Sequence, residues 1–307
     1  MPPSPSFGLV LPNFGPWAHP QTFADLAALA DASGWHGIFL TDTIQMQGTE
    51  GLPAVDPWIS LAAMAMQTRD IRLGTIVSAP SRRRPWQLAR ELATLDHLSG
   101  GRLILGVGAG DPHDRAFSAF NETGTVRERA AILDETLELI TRFWSGEQVR
   151  HDGQHFTVDD VALLPRPIQR PRIPIWVGWQ WPAKKPLDRV ARWDGAVPFA
   201  IEEDGTYSNP TPDELLEIQH LIAQRHASGT RPDIVSYAEL LDTETHPNDV
   251  DALHQLVSAG ATWLIHFVDP SVSLDTLHRG IESGPPVLPS DRSRVEGRVG
   301  QESSATG

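Results

Sequence analysis

Residues 56–110 read DPWISLAAMAMQTRDIRLGTIVSAPSRRRPWQLARELATLDHLSGGRLILGVGAG and decide the fold. Two short apolar strands are predicted here, IRLGTIV at 71–77 and RLILGVG at 102–108, and each follows an amphipathic helix. The second helix opens at Pro85 and stops before Gly100, which are the positions that proline and glycine prefer at helix ends. Strands that alternate with helices predict a parallel sheet with helical connections.

The same strand–helix unit repeats along most of the chain. Its clearest helix opens with Thr125 and Glu128 in capping-box spacing. The predicted strands are apolar on both faces, as the strands of a barrel covered by helices must be. They occupy residues 7–11, 36–42, 71–77, 102–108, 173–178, 194–199, 233–240 and 262–267. Eight such units predict a single (β/α)8 TIM barrel, and a doubly wound open sheet is the competing architecture.

Two segments depart from the repeat. Residues 146–171 are rich in turn residues and predict a hairpin inserted between the fourth helix and the fifth strand. Residues 284–307 contain 11 Gly, Pro or Ser in 24 positions and have no periodic apolar face. We therefore expect a barrel domain over residues 1–283 and a disordered tail over residues 284–307.

Composition limits the classes of function. The 25 basic and 39 acidic residues give a net charge of −14, which disfavours nucleic acid and anionic membrane surfaces as partners. There is no cysteine, so thiolate catalysis and cysteine-ligated metals are excluded. No stretch is apolar enough for a membrane span, and the expected location is the cytoplasm. The histidine spacings do not predict a metal site.

A TIM barrel builds its active site on the loops after its strands, and three of these loops carry a chemical signal. Residues 106–111 read GVGAGD, in which bare backbone can approach a ring or a phosphate closely. Lys184 and Lys185, the only lysines of the chain, are candidates for a bound phosphate or for simple solvent exposure. The arginines at 82–84 either hold an anionic cofactor tail or form a solvated loop.

The chain resembles the bacterial-luciferase-like, flavin-dependent oxidoreductases from about Phe7 to Pro286. The resemblance is carried by residues 56–110, by GQHFTVDDVALLPRPIQRPRIPIWVG at 153–178 and by RVARWDGAVP at 189–198. Members of this family are (β/α)8 barrels. The resemblance implies reduced flavin mononucleotide (reduced FMN) as cofactor, or the related deazaflavin coenzyme F-420 (F420), with its phosphate near the loops after the later strands.

The resemblance also assigns residues to the cofactor, one motif position at a time. The matching positions are Asp42, Val77, Ser78, Gly108, Gly110 and Gly178, and a strained or cis peptide is expected near Ser78. Lys185 suits the phosphate. Two departures stand out: Thr43 occupies the position of the family's usual histidine, and Trp179 replaces a second glycine. A hydroxyl cannot replace imidazole as a proton donor near pH 7, so the acid or base must come from another residue. The strand-end candidates are Asp42, Asp111, Glu239 and His266, and we expect Asp42 to be catalytic. Trp179 is expected to line the pocket by stacking on a planar ring or substrate.

Three functions follow as hypotheses. The first is a monooxygenase that uses reduced FMN and molecular oxygen on a small organic substrate, with flavin supplied by a separate reductase. The second is an F420-dependent dehydrogenase or reductase that transfers hydride without oxygen. The third is a flavin-binding protein that has lost catalysis, because Thr43 replaces the histidine. Relatives commonly pair as dimers, so a homodimer is expected by resemblance.

Overall fold

A computed structural model describes residues 4–111, 113–122, 124–201, 207–225, 231–241 and 249–288. Its strands are β1 (Ser6–Leu11), β2 (Gly37–Leu40), β3 (Arg72–Ser78), β4 (Leu103–Val107), β5 (Val149–Asp152), β6 (Thr157–Val161), β7 (Ile175–Gln180), β8 (Gly195–Ile201), β9 (Tyr207–Ser208), β10 (Asp233–Tyr237) and β11 (Trp263–Phe267). Its helices are α1 (Pro20–Ala32), α2 (Pro57–Gln67), α3 (Pro85–Leu98), α4 (Arg115–Ser118), α5 (Val126–Trp144), α6 (Leu187–Val190), α7 (Pro212–Ala223), α8 (Val250–Ser258) and α9 (Leu274–Glu282).

Eight parallel strands form a closed barrel, which confirms the predicted (β/α)8 fold. The strand order is β10-β11-β1-β2-β3-β4-β7-β8, and pairing between β8 and β10 closes the ring. An open sheet would leave those two strands as edges, so the competing architecture is excluded. β5 and β6 pair antiparallel between α5 and β7, in the segment where the sequence predicts a hairpin. The short strand β9 adds to the end of β8.

The core has an outer and an inner layer because barrel strands bury both faces. The outer layer packs the sheet against the helices. The inner layer fills the barrel with alternate strand residues, among them Phe39, Trp176 and Trp263. Trp176 lies 5.2 Å from Trp263 and 5.5 Å from Phe39, measured between ring centroids. These rings fill the barrel below its mouth, which leaves the strand ends as the place for a site.

Local sequence rules account for most helix boundaries. The capping box predicted at the start of α5 is present, with both reciprocal hydrogen bonds between Thr125 and Glu128. α6 is only four residues long, whereas a helix near 184–192 is expected from the sequence. The reason is Pro186, which disfavours helical backbone at the residue before it.

The predicted tail begins differently from expectation. Leu288 is 1% exposed and belongs to the outer core, so the first residues after Gly284 pack against the barrel. Residues 289–307 lie outside the described part of the chain. Within the described ranges, no helix is both long and apolar enough to cross a membrane, and no three acidic or histidine side chains form a metal-binding group.

The close approach of β3 and β4 generates a stability prediction. A Cβ atom on Gly106 would lie 2.0 Å from the backbone oxygen of Thr75, whereas one on Gly178 would meet its nearest neighbours at an ordinary 3.4 Å. We expect Gly106→Ala to cost about 3 kcal/mol of unfolding free energy, because backbone cannot move aside cheaply. The corresponding loss in Tm is roughly 5 °C. Gly178→Ala is the matched control, and equal Tm values for the two variants would refute the steric argument.

Candidate active site

The carboxyl ends of β2, β3, β4 and β7 are neighbours in the barrel and bring the predicted residues together. Ser78 closes β3 and pairs in register with Val107, the last residue of β4, while Gly178 lies in β7 next to that strand. Asp42 follows β2, and its carboxylate accepts a hydrogen bond from the Ser78 hydroxyl. A cis peptide bond joins Ile76 to Val77, which is where the family resemblance implies an unusual peptide.

Asp42 is the buried anion of a charged cluster. Its side chain is 4% exposed, and its Oδ1 lies 3.3 Å from Arg82 and 3.4 Å from Arg83. Arg82 also donates to the backbone oxygen of Asp42 and pairs with Asp114 at 3.2 Å. Two guanidinium groups and one hydroxyl therefore compensate the charge of a carboxylate that has little contact with water.

These ion pairs change the role expected for the arginine loop. Arg83 also lies 3.7 Å from Asp56 and 3.9 Å from Glu91, so its charge is shared among three carboxylates. Arg82 and Arg83 are thus committed to carboxylates of the protein itself. Arg84 is the exposed member of the triplet, near the ring of Trp86 at 6.0 Å. The hypothesis that all three arginines grip a cofactor tail is not supported by this arrangement.

A shallow cradle forms where Val77 faces two glycines. A Cβ atom on Gly108 would lie 2.9 Å from the Val77 side chain, and one on Gly178 would lie 3.4 Å from it. A side chain at Gly108 would collide with Val77 and one at Gly178 would touch it, so both strands present bare backbone beside Val77. Gly110 has φ +90°, and a Cβ atom there would lie 2.5 Å from Phe117, so only glycine suits this turn. The cradle therefore fits a flat group that approaches bare backbone.

The loop after β4 is held by Arg129, a residue that no sequence motif singles out. Arg129 is 4% exposed; it donates to the backbone oxygens of Ala109 at 2.8 Å and Gly124 at 2.9 Å. Its guanidinium also stacks on Phe117 at 4.2 Å from the ring centroid. Burial lowers the pKa of the Arg129 guanidinium from its ordinary value. This arginine holds the glycine loop in place from below.

The loops after β1 and β2 are joined by a second residue that sequence reasoning missed. Asn13 is 1% exposed and donates to the backbone oxygens of Thr43 and Val55, both at 2.8 Å. It accepts a hydrogen bond from the Thr43 backbone at 3.0 Å. The backbone of Thr43 is thereby fixed. A polar residue directly after a strand was the available signal, but its partners lie about 30 or more positions away.

The expectation for Trp179 is wrong in the structure. β7 continues to Gln180, so Trp179 is a strand residue that points outward, away from the barrel axis. Its side chain is 1% exposed, its indole nitrogen donates to Ala183 at 2.7 Å, and it packs edge-on against Trp181. The sequence prediction ended this strand at Gly178 and so placed Trp179 in the loop. Trp179 belongs to the outer core.

The two lysines lie on the surface after β7. Lys184 pairs with Glu217 at 3.0 Å, with side chains 59% and 54% exposed, and sits 4.6 Å from the Trp181 ring. Lys185 is exposed and makes no ion pair or hydrogen bond with any residue that the structure describes. Its predicted contact with a phosphate stays a prediction.

Two further acidic residues lie at strand ends. Asp111 accepts hydrogen bonds from the Tyr207 hydroxyl at 2.7 Å and from the His113 backbone at 2.7 Å. Burial and this hydrogen bond raise the pKa of Tyr207, which keeps its hydroxyl protonated. Glu239 lies 3.3 Å from His266, and burial lowers the pKa of that histidine against the opposing charge of Glu239.

Comparison with known proteins identifies the family. Residues 6–185 match the sequence model of the family described as luciferase-like monooxygenase. The chain belongs to this luciferase-like family. The family that the resemblance indicates is therefore confirmed.

Individual relatives add detail. An F420-dependent glucose-6-phosphate dehydrogenase of Nakamurella multipartita is 34% identical over 62% of this chain, and the match covers 55% of that relative's length. One from Microbacterium testaceum is 29% identical over 77% of this chain and 68% of that relative. The solved monooxygenase RslO1 of Streptomyces bottropensis superposes with a TM-score of 0.72 over 90% of this chain and 96% of its own, at 23% identity, which supports the fold.

The buried cluster around Asp42 generates a second prediction. Asp42→Asn removes the charge that balances Arg82 and Arg83, and we expect it to cost about 3 kcal/mol of unfolding free energy. Glu217→Gln breaks the exposed pair with Lys184 and should cost about 0.5 kcal/mol or less. Urea unfolding at neutral pH measures both values. Equal small losses would mean that the Asp42 cluster contributes nothing beyond a surface ion pair.

Proposed function

We propose that this luciferase-like protein is an F420-dependent oxidoreductase that moves hydride between the deazaflavin and an organic alcohol or carbonyl compound. The proposal is carried by its similarity to two relatives whose names include F420-dependent dehydrogenase activity. The first of these is covered over little more than half of its length, so the activity is transferred as a proposal. Reduced FMN with oxygen and a separate reductase is the alternative that the experiment must distinguish.

The cradle of Val77, Gly108 and Gly178 fits the flat ring system of such a cofactor. The ring would lie on Val77, with the two glycines allowing the neighbouring strands to approach it closely. When bound, the deazaflavin supplies a carbon centre that accepts or donates hydride. The protein contributes orientation and exclusion of water, because Ser78 and Asp42 close the floor next to Val77 and are both buried.

Asp42 enters this proposal as a positioning residue. Both of its carboxylate oxygens are engaged, by Ser78, Arg82 and Arg83. An oxygen that is already shared among these donors is poorly placed to take a proton from substrate. We therefore replace the expected catalytic role of Asp42 by a positioning role, in which it holds the β3 loop beneath the cofactor. Asp111 is another strand-end carboxylate, and it is oriented by a hydrogen bond from the Tyr207 hydroxyl.

Equilibrium titration tests the proposed cofactor. The purified protein is titrated with F420 and with FMN, each oxidised and anaerobically reduced, while tryptophan fluorescence is followed. We expect F420 to bind at least tenfold more tightly than FMN and the F420-loaded protein to reduce or oxidise a substrate without oxygen. Tight binding of reduced FMN alone would favour oxygen chemistry with a partner reductase. Binding without turnover of any substrate would favour a non-catalytic flavin-binding protein.

The cradle makes a structural prediction for the same assay. Gly178→Val adds two methyl groups beyond the Cβ that already meets Val77 at 3.4 Å, so it fills the space that the ring requires. We expect F420 affinity to fall at least tenfold. Trp179→Phe, one position along but in the outer layer, is the control and should leave affinity within about threefold. If Gly178→Val bound F420 as well as the unmodified protein, the ring would have to lie elsewhere.

The lysines allow a test of the phosphate position. Lys185→Ala should weaken binding of F420 several-fold but leave the phosphate-free deazaflavin chromophore unaffected, because only the charged tail reaches this loop. Lys184→Ala is the control, since that lysine already pairs with Glu217. An equal loss for both ligands, or an equal effect of both variants, would remove Lys185 from the phosphate site.

A further inference from the structure

The mouth of the barrel is divided by charge. The sequence segments that follow β1, β2, β8, β10 and β11 contain no Lys or Arg; they are residues 12–19, 41–56, 202–211, 238–249 and 268–273. Among the segments that follow the eight barrel strands, those after β3, β4 and β7 contain all of the Lys and Arg residues.

Most of the cations on the opposite side are already engaged. Arg82 and Arg83 pair with carboxylates, and Arg129 binds backbone oxygens beside Gly110. Arg115 donates to Gln45 at 3.0 Å and lies 3.7 Å from Glu50. The exposed Arg84 and Lys185 lie after β3 and β7, on the cradle side. A phosphate or carboxylate on the β8–β11 side would therefore find no Lys or Arg in these segments to compensate its charge.

The cation-free side presents aromatic rings instead. Alternation along the strands turns Phe199, Tyr237 and Phe267 toward the barrel axis, one step above the buried Val197, Val235 and Ile265. Tyr207 packs against Phe199 with 5.7 Å between ring centroids. Phe267 is 45% exposed although it ends a barrel strand, so apolar surface is open to the mouth. These four side chains are called the aromatic wall below.

Tyr237 supplies the polar group of the aromatic wall. It packs against the inner core, and burial raises the pKa of its hydroxyl, which therefore remains a hydrogen-bond donor throughout the neutral range. The hydroxyl makes no hydrogen bond to any residue in the described part of the chain. The chain has only two tyrosines, and both lie at this wall. The other one, Tyr207, is already bound to Asp111.

We propose that the aromatic wall binds the substrate, that the substrate is an apolar alcohol or its carbonyl counterpart without phosphate or carboxylate, and that the Tyr237 hydroxyl donates a hydrogen bond to its oxygen. The inference rests on the proposed function, since it takes the cradle to be occupied by the cofactor. The apolar body of the substrate packs on Phe199 and Phe267. Its oxygen accepts a hydrogen bond from the Tyr237 hydroxyl, whereas a purely apolar ligand would leave that hydroxyl unsatisfied.

A matched pair of ligands tests the prediction that the substrate carries no phosphate or carboxylate. The protein saturated with F420 is titrated with 4-phenylbutan-2-one and with the same ketone carrying a para-carboxylate on its ring, and the dissociation constants are compared by calorimetry. We expect the neutral ketone to bind at least 30-fold more tightly. Equal affinities, preference for the carboxylate, or binding of neither ketone would overturn the inference. Binding is measured directly, so the result does not depend on turnover.

Two variants of the aromatic wall and one control variant show where the ketones bind. Phe267→Lys places a cation in the aromatic wall and should narrow the difference between the ketones at least fivefold. Phe120→Lys makes the same change at a residue that is 63% exposed after α4, and should leave the difference unaltered. Tyr237→Phe should weaken the neutral ketone five- to tenfold and leave the corresponding hydrocarbon, butylbenzene, unaffected. An unchanged ketone affinity in Tyr237→Phe would remove that hydroxyl from substrate binding.

The cofactor titration distinguishes a failure of the proposed function from a failure of the substrate inference. If the protein does not bind F420, the proposed function fails. If F420 binds with the expected affinity but the ketones are not distinguished, the proposed function stands and the substrate inference alone is wrong. The variants at Phe267 and Tyr237 should keep the F420 affinity of the unmodified protein, because the cradle lies on the β3–β7 side.

Discussion

The buried carboxylate of Asp42 is the constraint on which the mouth of this barrel depends. A charge with 4% exposure is stable only when hydrogen-bond donors and cations surround it, and here Ser78, Arg82 and Arg83 do so. Because Arg82 also forms an ion pair with Asp114, the loops after β2, β3 and β4 are fixed relative to one another. The floor beside Val77, on which a flat cofactor would lie, is a consequence of this charge balance.

The same ion pairs occupy arginines that would otherwise be available to a ligand, and this affects which ligands the barrel can bind. Arginines that neutralise the protein's own carboxylates are not available to ligands. Among the described loop residues at the mouth, the exposed cations that make no ion pair are Arg84 after β3 and Lys185 after β7. The opposite side has the aromatic wall, and the segments that follow its strands contain no Lys or Arg. A barrel with this division can hold an anionic cofactor tail on one side and an uncharged substrate on the other, with the reacting ring between them.

The sequence predicted those features that depend on local periodicity or on a motif. Eight doubly apolar strands predicted the barrel, and Thr125 with Glu128 predicted the start of the longest helix. The roles of Arg129 and Asn13 were not predicted, because they arise from contacts between loops far apart in sequence. Trp179 was misplaced because the predicted strand ended two residues early, and such an error moves a side chain from the outer core into the pocket.

A crystal structure of the protein with F420 and a neutral ketone tests the central claim most directly, since that claim is spatial. We predict that the deazaflavin ring lies on Val77 between Gly108 and Gly178, with its phosphate toward the loops after β4 and β7. The ketone should lie against Phe199 and Phe267, with its oxygen within hydrogen-bond distance of Tyr237. A ring bound against the aromatic wall, or a ketone oxygen directed to the arginines of the β3 loop, would contradict the account.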